Sequence, residues 1–327
     1  QVSTQTENLI ELEPLSFDDF DHMVEWSKEI GWDNIGSQLT RGDNRICFDS
    51  FSFPELVVGH YCVQQSIHNV FALPEGVVLF LICRTKQPLS WCGRHLPPTL
   101  LGIARSGLEH EVVLRSGWDC YEFMVSEDLI QRTEFFPLDF FKNTTRLERA
   151  FVPLMEPVTG RFLQQMDAFF QQARGVNGSP GSAVHAARFF DFIINGLQQV
   201  VDSGLEASGS LKLKSARRPD LVRKTQDFVS HRLHTELSVD ELAQSLGVSN
   251  RVLHYAFKDT LGISPGQYLI NQKLHAVRRL LKTGDYSVTE ASQLYAFNTP
   301  SRFARQYASL FSELPSETRR RYQGRVS

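Results

Sequence analysis

The sequence predicts an α+β protein: an antiparallel β-barrel of jelly-roll type, followed by an all-α domain with two helix-turn-helix units. Three observations predict this class. Short strand-like runs rich in Val, Ile, Phe and Tyr crowd residues 45–126, with no helical segment between them. From residue 220 onward, apolar residues recur at helical spacing. Residues 215–327 contain 17 Lys and Arg against 10 Asp and Glu, a net charge of +7, whereas residues 1–214 carry −10.

This division of charge indicates two domains with different tasks. A basic C-terminal domain suits contact with phosphates, whereas DNA would repel an acidic N-terminal domain. The 327 residues are enough for two cores. We therefore predict an N-terminal domain over 1–205 (assigned below to sensing and dimerisation on other grounds), a Ser- and Gly-rich linker over 206–218, and a DNA-binding domain over 219–327.

Seven short strands, separated by Pro, Gly and Asp or Asn turns, form the predicted barrel. They are Ile46–Phe53, Leu56–Gln65, Asn69–Leu73, Val77–Arg84, Thr99–Ala104, Glu111–Leu114 and Asp119–Val125. Before them, residues 1–15 are expected to be frayed, and a helix is expected to begin at Ser16. A barrel of this size has room for one small ligand.

Two amphipathic helices are predicted after the barrel, near residues 160–172 and 183–201. One stripe of the second helix is apolar at alternating spacings of four and three. It consists of Ala186, Phe190, Ile193, Leu197 and Val200. Such a stripe serves either a homodimer, formed through the helices of 160–201, or packing on the barrel of the same chain.

The first helix-turn-helix unit is predicted within Leu237–Tyr268. Ser238 and Glu241 have capping-box spacing, Gly247 ends the first helix, and Ser249 caps the second. Leu253, Ala256 and Phe257 then face inward.

The outward face of that second helix carries Arg251, His254 and Tyr255. A cation and two hydrogen-bonding rings on an exposed helix suit the DNA major groove, so we predict that they read bases. Ser249 and Lys258 are expected to contact the DNA backbone. The alternative is an ordinary solvated helix face.

The unit repeats further along the chain. Ser287 and Glu290 match Ser238 and Glu241 at an offset of 49 residues. The outward face of the repeat carries Ser301, Arg302 and Arg305, which we also predict to read bases. A long helix, expected to run from Ser264-Pro265 to Lys282, joins the units, and two such readers can address groove segments roughly 34 Å apart.

This doubled unit resembles the C-terminal region of the AraC/XylS family of bacterial transcription regulators over about 220–321. The shared motifs are SVDELA at 238–243, LHYAFK at 253–258, LGISP at 261–265, AVRRLL at 276–281 and SVTE at 287–290. The second unit departs from the family pattern, with Ala296 and Ser312 where the family has Gly and Thr318 where it has an aromatic residue. MVSEDLI at 124–130 looks like the sensory domains of the ethanolamine-regulator branch. The resemblance implies an N-terminal domain that binds an effector or partner and controls dimerisation.

The sequence also contains residues that could bind a metal or an effector. His60, Cys62 and His68 are soft ligands in a strand region, but their spacing matches no metal motif, so we predict no metal or cofactor. Neither a nucleophile elbow nor a phosphate-binding Gly loop occurs, so the protein is not expected to be an enzyme. Arg41 and Arg45 resemble the R-x-x-x-R of PilZ-type sensors, which makes them effector-binding candidates and a cyclic dinucleotide a candidate ligand.

The sequence thus predicts a transcription regulator that binds double-stranded promoter DNA and responds to a small-molecule effector. RNA polymerase is a further candidate partner. The alternative is a regulator whose N-terminal domain answers to a protein partner instead. With no apolar run of about 18 residues, no membrane contact and a cytoplasmic location are expected.

Overall fold

The computed structural model describes residues 9–133, 151–174, 184–207, 214–215 and 218–323. The strands of these residues are β1 Leu9–Ile10, β2 Glu13–Phe17, β3 Asp33–Gln38, β4 Ile46–Phe53, β5 Leu56–Val63, β6 Ile67–Ala72, β7 Val77–Cys83, β8 Leu89–Trp91, β9 Arg94–Leu96, β10 Leu100–Arg105, β11 Glu109–Leu114, β12 Trp118–Ser126, β13 Phe151–Pro153, β14 Val184–His185 and β15 Lys214–Ser215. The helices are α1 Phe20–Glu29, α2 Glu127–Arg132, α3 Val158–Arg174, α4 Ala186–Ala207, α5 Pro219–Ser230, α6 Val239–Ser245, α7 Asn250–Thr260, α8 Pro265–Thr283, α9 Val288–Leu294, α10 Pro300–Phe311 and α11 Pro315–Tyr322.

Two antiparallel sheets form the N-terminal barrel, as predicted. One has the strand order β13-β10-β7-β12-β5-β4-β2 and the other has β15-β9-β8-β11-β6-β3. Along β12, side chains alternate between the two faces of the first sheet. Tyr121 and Phe123 face outward toward helices, while Cys120 and Met124 belong to the core between the sheets. The first sheet is therefore covered on both sides.

Helices α3 and α4 cover the outer face of the seven-stranded sheet. Ile193, Leu197 and Val200 of the predicted dimer stripe are fully buried there, in one core with Phe80 and Phe123 of the sheet. These residues of the stripe pack on the barrel of their own chain, which was the alternative to a homodimer. Residues 175–183 lie outside the described part of the chain.

The prediction of a helix beginning at Ser16 is wrong. Glu13–Phe17 is strand β2, which pairs antiparallel with β4 and places Ser16 opposite Cys47. The helix begins four residues later, where the Asp19 side chain accepts a hydrogen bond from the His22 backbone amide at 2.8 Å. The apolar residues of β2 favour pairing with β4 at the edge of the sheet. The helix can begin at Asp19 instead of Ser16 because Asp caps a helix as well as Ser does. Of the predicted frayed segment, residues 9–15 include β1 and part of β2.

The C-terminal domain consists of helices α5 to α11, arranged around two separate cores. The first contains Leu253 and Phe257 of α7, and the second contains Phe303 and Tyr307 of α10. Helix α8 contributes Leu269 to the first core and Val277 to the second. It therefore joins two independently packed helix-turn-helix units, as the sequence predicts.

The two domains pack directly on each other. Asn271 Nδ2 of α8 donates to the Leu39 carbonyl oxygen at 3.0 Å, just after β3, and Gln272 Nε2 donates to Ser37 Oγ at 2.8 Å. Leu39 and Val113 of the barrel also join the apolar core of the first helix-turn-helix unit. The long helix therefore lies against the edge strand β3.

Candidate nucleic-acid interface and ligand cavity

Capping groups fix the first helix-turn-helix unit as predicted. Ser238 and Glu241 form a complete capping box at the start of α6. Gly247, between the helices, has a φ of +66°, a backbone conformation that is unfavourable for residues with a Cβ atom. Ser249 caps α7, its Oγ accepting from the Val252 amide at 3.4 Å. These local contacts set the angle between α6 and α7.

Helix α7 presents its predicted base-reading side chains to solvent. Arg251, His254 and Tyr255 are all exposed, whereas Leu253 and Phe257 on the opposite face are fully buried. The Arg251 guanidinium lies 5.5 Å from the centre of the Tyr255 ring, so both groups occupy one patch. Lys258 is also exposed, and its ammonium reaches the Gly262 carbonyl oxygen at 3.4 Å. The helix is thus amphipathic about a single outward face.

The second unit has the same layout. Ser301, Arg302 and Arg305 of α10 are exposed, opposite the buried Phe303 and Tyr307.

Thr318, which replaces an aromatic residue of the family pattern, is fully buried in this unit. It forms hydrogen bonds with the Tyr307 hydroxyl at 2.8 Å and with Glu313 Oε1 at 2.7 Å. The buried hydroxyl is therefore satisfied.

Two other departures lie at strained positions. Ala296, between α9 and α10, has a φ of +59°, and Ser312, after α10, has a φ of +56°. A left-handed conformation costs a residue with a Cβ about 1–2 kcal/mol. The second unit therefore keeps the turn geometry of the first without its glycine, at some expense of stability.

We expect Ala296→Gly to raise the free energy of unfolding by up to about 1 kcal/mol, because glycine adopts a φ of +59° without steric cost. The matched control is Gly247→Ala, where an added Cβ meets nothing within 4 Å and only the backbone conformation resists it. This variant should lose a similar amount. Chemical denaturation measures both, and a destabilising Ala296→Gly would contradict the account.

A cavity of about 700 Å³ lies inside the barrel. Its lining is mostly apolar and includes eight aromatic residues, which are Phe17, Trp26, Trp32, Phe48, Phe53, Tyr61, Phe71 and Trp91. Helix α1 contributes Met23, Trp26 and Ser27, and β3 contributes Asn34. This volume falls in the range of small-molecule sites, about 300–1,000 Å³.

Of the three acidic residues that line this cavity, Glu13, Glu55 and Glu122, the last lies on a central strand of its sheet. Glu122 lies on β12 between Cys120 and Met124, and the sheet places it on the inner face. Burial raises its pKa to about 7, which the contact with the Cys120 thiol offsets only in part. Sequence analysis missed this residue, although an acid that alternates with apolar residues in a barrel strand is a signal for it.

Arg41 and Arg45 do not belong to the lining of this cavity. Both are exposed, in a loop whose Gly42 amide donates to the Leu310 carbonyl oxygen at the end of α10 at 3.3 Å. The loop therefore lies at the junction of the domains. An effector-binding role for these two arginines stays a prediction.

His60 and Cys62 meet Asp119, while His68 lies in the other sheet and contacts Glu111 at 2.8 Å. The potential ligand atoms of the first three residues lie within 4.8 Å of one another. However, guanidinium nitrogens of Arg84 and Arg174 lie 2.9 and 2.6 Å from the two ring nitrogens of His60. Burial and Asp119 raise the pKa of the Cys62 thiol to about 12. His60, Asp119 and the two arginines therefore form an ion-pair network beside the protonated thiol of Cys62.

A buried ionic cluster joins α1 to α8. Arg278 Nη2 lies 2.7 Å from Asp19 Oδ2 and 2.8 Å from Glu313 Oε1, and Lys282 Nζ lies 3.2 Å from Asp19 Oδ1. Burial opposes ionisation of Asp21, but His275, Lys282 and Arg278 hold its pKa well below the usual range. We call Asp19, Asp21, Arg278, Lys282 and Glu313 the junction cluster.

The fold and the two outward faces define a domain with two helix-turn-helix units. Residues 242–321 match the family model described as a helix-turn-helix domain. The chain is similar to the XylDLEGF operon transcriptional activator 1 of Pseudomonas putida, with 31% identity over 169 residues, covering 49% of each protein. It also resembles the transcriptional activator NphR of a Rhodococcus species, at 29% identity over 44% of this chain and 42% of the relative.

A transcriptional regulator from Chromobacterium violaceum with an AraC-type DNA-binding domain matches at 25% identity and a TM-score of 0.31, over 33% of this chain and 96% of that one. Over this C-terminal region the chain is similar to transcription regulators of the AraC/XylS type. It spans about half the length of the curated relatives that it matches first. In the part of the chain that the structure describes, no helix is long and apolar enough to cross a bilayer.

Proposed function

We propose that the protein binds promoter DNA through its two helix-turn-helix units, and that a small molecule in the barrel cavity controls this binding. The observation that carries the DNA-binding part is the face of α7, where Arg251, His254 and Tyr255 are exposed together on a rigid, capped helix. Exposed cations and hydrogen-bonding rings at the start of such a helix suit base edges in the major groove.

Each predicted contact has a separate role. Arg251 can donate two hydrogen bonds to guanine O6 and N7, worth about 1–3 kcal/mol of discrimination. Lys258 would attract phosphate without reading sequence. The Ser249 oxygen already accepts a backbone amide as a helix cap, but its hydroxyl proton remains available to a phosphate oxygen. Ser301, Arg302 and Arg305 would act likewise on a second groove segment.

Control by the barrel is supported by two elements that serve both sites. Helix α1 lines the cavity with Met23 and Trp26 and holds Arg278 of α8 through Asp19 at its start. Strand β3 lines the cavity with Asn34, and the Gln38 amide at its end contacts His275 Nε2 of α8 at 3.0 Å. A ligand that shifts α1 or β3 thereby changes the support of the helix joining the two readers.

The cavity favours a small molecule over the alternative of a protein partner, because its volume is not filled by side chains. A homodimer and a contact with RNA polymerase remain predictions. If α3 and α4 do form a dimer, they would use faces other than the stripe buried at Ile193 and Leu197.

The test is DNA binding by the full chain, with its preferred sites first selected from a random pool. Arg251→Ala should relax the preference at one base pair and weaken the preferred site by about 1–3 kcal/mol. Lys258→Ala should weaken binding to all DNA sequences by a similar factor. It should also reduce the slope of log K against log salt concentration by about one. Identical behaviour of the two variants would contradict these roles, and the absence of salt-dependent binding by the full chain would refute the proposal.

A further inference from the structure

The polar groups of the barrel cavity include carboxyl, amide and hydroxyl groups. Glu122 supplies a carboxylate, and the side-chain oxygens of Asn34 and Asn69 are hydrogen-bond acceptors that have no partner within the described residues. Both asparagines are more than nine-tenths buried. These two oxygens have almost no accessible surface and do not open to the cavity, so the Glu122 carboxyl is the group of the lining that can distinguish a cationic from an anionic ligand.

The charge of the lining has one sign. Among the described residues that line the cavity, Glu13, Glu55 and Glu122 are acidic and none is Lys, Arg or His. Glu55 is paired with Arg132 at 2.5 Å, on the outside, whereas no described residue forms an ion pair with Glu122. A carboxylate ligand would therefore meet repulsion without a compensating cation, whereas a cationic ligand would complete a pair.

The rings of the lining add to this preference. Trp26, Phe48 and Tyr61 surround the space on the side of β4 and β5, with the Trp26 and Phe48 ring centres 6.0 Å apart and those of Phe48 and Tyr61 6.4 Å apart. The faces of aromatic rings attract cations, most strongly where water is excluded. Most of the remaining lining is aliphatic or aromatic and suits a flat apolar body.

From these features we infer that the barrel cavity binds an aromatic amine, whose ammonium group meets Glu122 while its ring system packs among the aromatic side chains. This inference rests on the ligand-binding role proposed above for the barrel. The same arrangement rejects aromatic carboxylates of equal shape.

The proton on Glu122 links binding to pH. The titratable groups that face Glu122 are Cys120 on its own strand and Tyr61 on β5, while β7 and β4 oppose it with Leu81 and Phe48. The pKa of the Glu122 carboxyl is about 7, and an ammonium group pairs with the ionised form of this carboxyl. Affinity for an amine should therefore rise roughly tenfold between pH 6 and pH 8.

Three compounds of matched shape test the inference: tryptamine, tryptophol and indole-3-acetate, titrated into the full chain by calorimetry. Tryptamine should bind at least about tenfold more tightly than tryptophol at pH 8, and indole-3-acetate should bind more weakly than both. Glu122→Gln, which keeps the shape of the neutral side chain, should remove the preference for the amine and its pH dependence. Glu109→Gln, an exposed acid on β11 outside the cavity lining, should preserve both.

Each other outcome has a definite meaning. Tighter binding of the alcohol or the acid would overturn the amine assignment while leaving a small-molecule site in the barrel. Failure of all three compounds to bind would also overturn it. Neither result would touch the DNA-binding part of the proposal, which the base-preference measurements on Arg251→Ala test separately.

Discussion

Replacement of Arg278 by Met is expected to lower the free energy of unfolding by about 3 kcal/mol, because the buried carboxylates around it would lose their positively charged partner. The Arg278 side chain is 3% exposed and lies between Asp19, Asp21 and Glu313. Burial alone would lower its pKa, but Tyr307 and these carboxylates raise it above the usual range, so it stays charged. Lys282 and Arg321 still pair with the carboxylates, which keeps the loss at the lower end of the range for broken buried pairs.

A double-mutant cycle with Asp19→Asn measures this interaction by chemical denaturation. Asn keeps the helix cap that Asp19 provides at α1, so the substitution removes the charge alone. The double variant should be more stable than the sum of the single losses predicts. Strict additivity would show that the junction cluster does not act as a unit.

The pH dependence of the junction cluster has a definite sign. The pKa values of Asp19 and Asp21 lie below their ordinary value of 3.8, because the nearby cations outweigh the effect of burial. The cluster therefore contributes fully above that value, and its contribution is lost as pH falls through the lowered pKa values. At neutral pH it holds the two domains together.

Phe257→Ala and Phe303→Ala form a matched pair that should each cost about 3–5 kcal/mol. Phe257 is fully buried in the first helix-turn-helix unit, and Phe303 is 2% exposed in the second. Their cores are separate, so each substitution should unfold or loosen the unit in which it lies.

Nuclease footprinting of the selected DNA site measures the functional consequence. Each variant should lose one side of the protected region, Phe257→Ala the side with Arg251 and Phe303→Ala the side with Arg305. Unfolding followed by denaturant gives the stability loss independently. An unchanged footprint for Phe303→Ala would mean that the second unit contributes no DNA contact.

Local sequence signals predicted the C-terminal domain well. The capping boxes at Ser238 and Ser287, the cap at Ser249 and the inward positions of Leu253 and Phe257 all depend on neighbours within about one helical turn. Strand β4 was predicted with its observed bounds, since alternating apolar residues between turns carry that information. The individual DNA contacts were predicted from the same helix, and they remain to be tested.

Contacts between residues that are distant in the chain could not be predicted from the sequence. The pairing of Asp19 with Arg278 joins residues 259 positions apart, and no periodicity reports it. The cavity likewise depends on which residues two sheets bring together, so Asn34 and Glu122 could not be associated beforehand. Strand β2 was mistaken for a helix start because Ser16 and the acids after it match a helix cap equally well.

The barrel contacts each predicted reading helix through a main-chain carbonyl oxygen near the C-terminal end of that helix. Arg115 of the barrel donates to the Leu261 carbonyl at 3.0 Å, and Gln38 donates to the Leu310 carbonyl at 2.8 Å. A carbonyl oxygen stays in place whatever side chain its residue carries. Substitutions along the outward faces of α7 and α10 therefore leave these contacts with the barrel in place. If the two helices read DNA as proposed, their outward side chains can be exchanged by design without removing the support that the barrel gives each helix.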